Sequence, residues 1–334
     1  MEFRKIESIG IPVSLISLGT WAFGGDKWWG PQEDRDSLET LRLALSKGIS
    51  LIDTAPIYGR GRSEKIIGIF FKKHKLRTKI ILATKVGLSW DGPKILHNLK
   101  KKRIFEEVSA SQKRLQTDYF DLYQVHWPDP DTPIPETAEA MRELYQKRTI
   151  RAVGVSNYSV PQMREFMKYC PLHSLQPNYS MFKRYIEKEI IDFCVRNKIA
   201  IITYAPLYSS LLTGKFFFDN VKIPEDINRK MKNADLTEPR FSINKEALED
   251  LKAIAAGYKK TLSQLALNWN FSQKGITSCI VGMRNSAQVD DNSGCVGWKI
   301  SAADMEKIAE ILNMREIEIE KLCNTHNSIR NTKK

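Results

Sequence analysis

Short runs of β-branched and aliphatic residues alternate along this chain with longer stretches in which apolar positions recur every three or four residues. The first pattern suits a buried parallel strand and the second a helix with one apolar face, so the alternation predicts a parallel sheet with helical crossovers. Eight strand segments fit, at 15–19, 50–53, 80–85, 120–126, 150–155, 174–176, 200–204 and 278–281. Between them, Ile186, Ile190, Ile191, Cys194 and Val195 share one helical face, as do Leu262, Leu265, Ala266 and Trp269. Eight such units in 334 residues predict an α/β fold of one domain, a (β/α)8 TIM barrel. Pro224, Asp226, Asn228, Asn233 and Pro239 predict an inserted loop after strand 7, over 216–245, of the kind that serves as a lid or binding loop. The domain is expected over 1–323, followed by a C-terminal extension at 324–334, which is polar and without apolar period and is read as a tail leaving the domain.

Composition narrows the function classes. The five cysteines, Cys170, Cys194, Cys279, Cys295 and Cys323, are odd in number, scattered and without a C-x-x-C pair, which argues for reduced, mostly buried thiols and against a disulfide framework or a metal site. A formal net charge of +13 raises a nucleic-acid partner, but the charge is spread along the chain. Its one dense cluster, Lys100 to Arg103, is read as a solvated loop just before a helix. No long apolar run occurs and Met1 to Lys5 lacks the apolar core of a signal peptide, so neither a membrane nor a nucleic-acid partner is expected and the location is taken as cytoplasmic.

In a barrel of this kind the active site lies where the strands end. Asp53 ends the second strand, Lys85 the third and His126 the fourth, and Tyr58 follows Asp53 in the adjoining loop. Singly, each has an ordinary reading: a helix cap, a solvated amine, a hydrogen-bonded histidine, a packed ring. Together they have a chemical logic. Asp53 is placed to anchor Lys85, whose ammonium would stabilise a phenolate and lower the proton affinity of Tyr58, making it a general acid near neutral pH. His126 would orient a substrate carbonyl. Trp21, Trp90 and Trp127 follow strand ends and would wall an apolar substrate pocket with Tyr58 and His126, and Trp28 and Trp29 could add to its rim.

Six stretches, Asp53-Thr54-Ala55-Pro56-Ile57-Tyr58-Gly59, Gly61-Arg62-Ser63-Glu64, Arg114-Leu115-Gln116-Thr117-Asp118-Tyr119, Gly154-Val155-Ser156-Asn157-Tyr158, Leu175-Gln176-Pro177-Asn178-Tyr179 and Leu211-Leu212-Thr213-Gly214-Lys215, resemble the aldo-keto reductases. Tyr123 to Asp129 and Val281 to Gln288 are similar to the bacterial branch with general-stress and inositol-associated reductases. The resemblance implies a catalytic tetrad of Asp53, Tyr58, Lys85 and His126 and an NADP(H) cofactor extended across the barrel mouth. No G-x-G-x-x-G follows a strand, as binding without a Rossmann fold requires. It implies that Ser156, Asn157 and Gln176 read the nicotinamide carboxamide and Tyr204 stacks on the ring, with Thr20, Trp21, Asp53 and Ala205 also lining the cofactor. The diphosphate would lie under Pro206, Leu207, Ser209, Ser210 and Leu211 with Lys215 supplying charge, and Arg229 or Lys230 could clamp it. Gly282, Met283, Arg284, Gln288 and Asn292 match the adenosine segment, Arg284 being suited to the 2′-phosphate and hence to NADPH over NADH. Relatives usually have Gly where Ser210 stands, and often Arg where Ser209 stands.

The leading expectation is therefore an NADPH-dependent oxidoreductase reducing aldehydes or ketones to alcohols, its partner a small carbonyl or alcohol substrate. The substrate's identity and the oligomeric state are left open. Two alternatives stand beside it. An NADPH-binding regulatory subunit with slow turnover keeps the fold and changes the role. A Schiff-base aldolase would use Lys85 as nucleophile, which the ion pair with Asp53 opposes by keeping the amine protonated.

Overall fold

Two strands without a counterpart among the eight predicted segments come first: β1 (Phe3–Ile6) and β2 (Ile11–Ser14) pair antiparallel as a hairpin. The structure is a computed structural model that describes residues 1–7 and 9–331. The chain continues through β3 (Ile16–Gly19), β4 (Leu51–Asp53), β5 (Ile81–Val86), β6 (Leu88–Asp91), β7 (Lys94–His97), β8 (Leu122–Val125), β9 (Val153–Ser156), β10 (Ser174–Gln176), β11 (Ala200–Tyr204) and β12 (Ile276–Gly282). Strands β3, β4, β5, β8, β9, β10, β11 and β12 pair in parallel in that order, and β12 returns to β3, giving the closed barrel that the alternation predicted. Their side chains are buried on both faces, inside the barrel and beneath the helices, which is why these segments read as near-continuous apolar runs. Strands β6 and β7 form a second hairpin after β5.

The helices are α1 (Asp34–Ser46), α2 (Arg62–His74), α3 (Lys101–Leu115), α4 (Ile134–Gln146), α5 (Val160–Met167), α6 (Ile190–Arg196), α7 (Lys215–Phe218), α8 (Ile227–Lys230), α9 (Arg240–Gly257), α10 (Leu262–Ser272), α11 (Ser286–Ser293) and α12 (Ala302–Asn331). Ser159 with Gln162 and Thr261 with Gln264 form capping boxes that start α5 and α10. The α2–α3 contact joins two of the sequence stretches singled out above: Glu64, fully buried, accepts from Arg114 Nε at 2.6 Å and from Thr84 Oγ1 at 2.7 Å.

The first hairpin closes the floor of the barrel. Ile6 and Val13 pack against Leu51, Ala83, Leu122, Ala152, Ile202 and Ile280 of the strands, each Leu, Ile or Val side chain contributing about 1.5–3 kcal/mol when fully buried. Arg4 ties the hairpin down by donating to the carbonyls of Phe271 and Ile276. With the floor sealed, the upper end is the mouth left for a ligand.

Several local expectations are corrected. Lys101, Lys102 and Arg103 form the first turn of α3 instead of a loop, where Glu143, Glu106 and Glu107 offset the clash of three cations with the helix N-terminus. Ile186 sits in a separate 3-10 turn (Tyr185–Glu187), and Val195 is exposed, because the helix begins only at Ile190 and its register turns that residue outward. The insertion is irregular only in part, since α7, α8, a 3-10 turn (Asn233–Leu236) and the start of α9 lie within it. The stretch expected as a tail continues α12 as far as Asn331, while 332–334 lie outside the described residues. Four cysteines are buried and Cys323 is exposed, and all are free thiols. Among the described residues no helix is long and apolar enough to cross a membrane.

Candidate active site

The strand ends bring Asp53, Lys85 and His126 to one side of the mouth, and the loop after β4 turns Tyr58 back over them. Lys85 is completely buried, and its Nζ donates to Asp53 Oδ2 at 2.5 Å, to the Thr54 carbonyl at 3.0 Å and to the Tyr58 hydroxyl oxygen at 3.3 Å. An ammonium has three hydrogens, so each is engaged. Tyr58 packs against the imidazole of His126 edge-on, with ring centroids 5.8 Å apart, and stacks on Trp21 at 5.7 Å. This loop approaches the one after β3 so closely that a Cβ on Gly59, where φ is +56°, would lie 2.4 Å from the Gly24 carbonyl oxygen. Only glycine at these two positions permits that contact.

Burial sets the proton affinities here, and it corrects the expectation for Tyr58. Desolvation holds the phenol well above its ordinary value and the charge of Asp53 pushes the same way, so the net effect opposes the lowering expected from Lys85. Lys85 is pulled below the ordinary lysine value by burial, against the opposing charge of Asp53. His126 is held well below the usual histidine range by burial first, then by Lys85 and His97, leaving a neutral imidazole. The site thus presents a protonated phenol beside a neutral imidazole.

The groups expected around a carboxamide are joined to one another. Ser156 Oγ donates to the Gln176 carbonyl at 2.8 Å, and Tyr204 OH donates to Asn157 Oδ1 at 2.9 Å. Asn157 Nδ2 donates to the His126 carbonyl at 3.1 Å, from a residue whose φ of 62° is one that Asn tolerates. Gln176 Nε2 donates to Asp53 Oδ1 at 2.9 Å, which ties this group to the tetrad.

Further along the mouth, Ala205, Tyr208, Ser209 and Ser210 all have positive φ, at 54°, 47°, 57° and 73°. Ser210 thus adopts the left-handed backbone for which glycine is the usual residue, and strain of this kind gathers at ligand-binding loops. Arg229, almost fully buried, pairs with Asp226 at 3.1 Å and donates to Ser210 Oγ at 3.2 Å, whereas Lys230 is exposed. Burial lowers the proton affinity of both Lys215 and Arg284, and the charge of Arg229 adds to it in each case. Three cations therefore share this groove with Asp226. The Nε of Arg229 and the Nε1 of Trp29 are buried without a hydrogen-bond partner among the described residues, although the Arg229 guanidinium lies over the Trp29 ring at 4.5 Å.

Other expected residues lie less directly on the mouth. Thr20 is buried, its hydroxyl donating to the Asp53 carbonyl at 2.8 Å and accepting from Ser63 at 2.8 Å, so it braces the site from behind. Leu211, Met283, Asn292 and Pro206 are also buried, Leu207 is half-buried and Gly282 is exposed. Arg284 has all three guanidinium nitrogens on the loop after β3: Nη1 donates to the Trp29 carbonyl at 2.8 Å, Nε to Gln32 Oε1 at 3.0 Å and Nη2 to the Pro31 carbonyl. Gln288 accepts from the Arg284 backbone at 2.7 Å. Trp28 and Trp29 meet Trp21 at 5.7 and 5.6 Å. Trp90 follows the end of β5 within the hairpin strand β6, packs against the cluster that holds Tyr58 and donates to the Ile57 carbonyl at 3.0 Å, while Trp127 is exposed.

Sequence reasoning missed Gln124, Gln32 and Arg62. Gln124 had a signal, a polar side chain inside the apolar run of β8. Arg62 and Gln32 gave none, because their partners are distant in sequence: Arg62 donates to the carbonyls of Gly24 and Gln32 at 3.3 and 2.6 Å and pairs with Asp34, and Gln32 exchanges hydrogen bonds with Arg284.

Comparison with known proteins agrees with this fold. Residues 15–313 match the Aldo/keto reductase family. The chain is 43% identical to the aldo-keto reductase YhdN of Bacillus subtilis (strain 168), over 93% of this chain and 94% of that protein. It is 35% identical to the NADH-specific methylglyoxal reductase of Escherichia coli (strain K12), over 93% of this chain and 99% of the other. The structure of the glycerol dehydrogenase AKR11B4 from Gluconobacter oxydans superposes with a TM-score of 0.86 at 34% identity, covering 94% of this chain and 95% of that one.

Proposed function

The chain belongs to the aldo/keto reductase family, oxidoreductases that reduce small carbonyl compounds with nicotinamide cofactors, and from that premise we propose that it reduces aldehydes or ketones to alcohols with NADPH and with Tyr58 as the proton donor. The observation that carries the proposal is the direction of the Lys85–Tyr58 hydrogen bond. Because the ammonium donates to the phenolic oxygen, the hydrogen of Tyr58 is left for a carbonyl oxygen entering the mouth. A reduced nicotinamide supplies the hydride when bound. Tyr58 transfers its proton to the substrate oxygen, and Lys85 stabilises the phenolate that remains. Neutral His126 donates a second hydrogen bond to the same oxygen and orients it. Trp21, Trp90 and Trp127 give the substrate an apolar wall.

Lys215, Arg229 and Arg284 support NADPH, since three cations facing Asp226 favour a ligand richer in phosphate. Arg229 would hold the diphosphate, and Arg284 the 2′-phosphate once it leaves the carbonyls of the 29–32 loop. A screen of carbonyl compounds following cofactor absorbance, run in parallel with NADPH and NADH, tests the reading. NADH-only turnover would remove the cofactor assignment, and no turnover with either cofactor would favour a binding subunit.

A further inference from the structure

We infer that Gln124 is a positioning residue that turns the side-chain amide of Gln176 so that its oxygen faces the mouth as a hydrogen-bond acceptor for the cofactor's carboxamide; this rests on the nicotinamide reading above. Gln176 Nε2 donates to Asp53 Oδ1 at 2.9 Å and to Gln124 Oε1 at 3.2 Å. An amide nitrogen has two hydrogens, so both are engaged, and Gln176 Oε1 has no hydrogen bond among the described residues. Gln124 is itself oriented by the same carboxylate, since its Nε2 donates to Asp53 Oδ1 at 3.3 Å. A carboxylate only accepts, so both amides must present nitrogen to it, and Gln124 then has its oxygen free for the second hydrogen of Gln176.

Turning Gln176 over would set its oxygen against the Asp53 carboxylate and the Gln124 oxygen at once. The fold makes room for this arrangement. On the neighbouring strand, a Cβ at Gly154 would lie 2.7 Å from Gln124 Cγ, so a larger residue there would push the amide away from Asp53. Gln124 is completely buried in β8 and pairs in register with Lys85 on β5.

Binding measurements on the full chain separate this role from a structural one. NADP+ is compared with its 3-acetylpyridine analogue, which keeps the carbonyl but has no N–H to donate, and 2′,5′-ADP reports the adenosine end alone. Wild type is expected to prefer NADP+ by about tenfold, the usual cost of an unmet buried acceptor. In Gln124→Met, close in volume but unable to hold the amide, the preference should fall to about twofold with 2′,5′-ADP binding unchanged. If that variant does not fold, Gln124→Asn, which draws the amide back by one methylene, reads the same ratio. Equal preference in variant and wild type overturns the inference, as does a wild type with no preference. A wild type that binds NAD+ is tested with the unphosphorylated pair. Failure to bind either dinucleotide would instead sink the nicotinamide reading itself.

Discussion

The Nζ of Lys85 donates to the phenolic oxygen of Tyr58 across 3.3 Å, so this lysine marks the phenol as a donor toward the mouth even though burial holds its proton tightly. A reductase that must deliver a proton needs the phenol protonated when substrate arrives, and the raised affinity ensures it. In the proposed mechanism Lys85 acts on the phenolate formed during the step, not on the resting group.

For that reason Tyr58→Phe should keep NADPH binding within about twofold while carbonyl reduction falls at least about a hundredfold. Fluorescence titration and initial rates measure the two. In the wild type, reduction should lose nothing to Tyr58 titration below about pH 10, because the folded value lies above the ordinary one. A decline near neutrality that the Phe variant lacks would contradict this.

Lys85→Met leaves the Asp53 carboxylate buried without its counter-charge, and should cost about 3 kcal/mol of stability at pH 7. Adding Asp53→Leu should recover most of the loss, since no unpaired charge then remains. Urea denaturation of the three proteins gives the cycle. Independent, additive losses would mean that the pair is not coupled in the folded chain.

Stability should also fall in mild acid through His126. Its folded proton affinity is depressed, so below about pH 6.5 the unfolded chain takes up a proton that the folded chain refuses. The contribution is complete above the unfolded value and is lost as pH drops toward the folded one. Unfolding at pH 7.5 and pH 5 should show a smaller acid loss in His126→Phe than in wild type. Equal losses would place a charged imidazole in the folded site.

Arg284→Ala should weaken NADPH binding by about tenfold or more and NADH binding by less than about threefold, as expected for loss of a charge-assisted contact to the 2′-phosphate. It should also lower Tm, because the carbonyls of Trp29 and Pro31 and the amide of Gln32 lose their donor. A fall in Tm with both cofactors weakened equally would leave Arg284 as a brace for the loop alone.

The alternation of strand and helix was legible because periodicity is a local property: whether a residue is buried on one face or two is written in its neighbours. The order of the barrel and the placing of Asp53, Lys85 and His126 at strand ends follow from it. What a side chain touches is not local. Lys85 meets Asp53 across 32 residues of sequence and Gln176 meets Asp53 across 123, so no window along the chain contains either contact.

The same distance explains what went astray or unseen. The sign of the Tyr58 shift depended on how thoroughly the closed barrel strips water from a phenol, a property of the whole mouth. The floor hairpin, the grip of Arg284 on the 29–32 loop and the amide pair at Asp53 were decided only when distant segments packed together. Sequence by itself determined which residue types stand at the strand ends; tertiary structure decided which hydrogens are engaged and which are left unpaired, because desolvation and hydrogen-bond direction exist only in the assembled site.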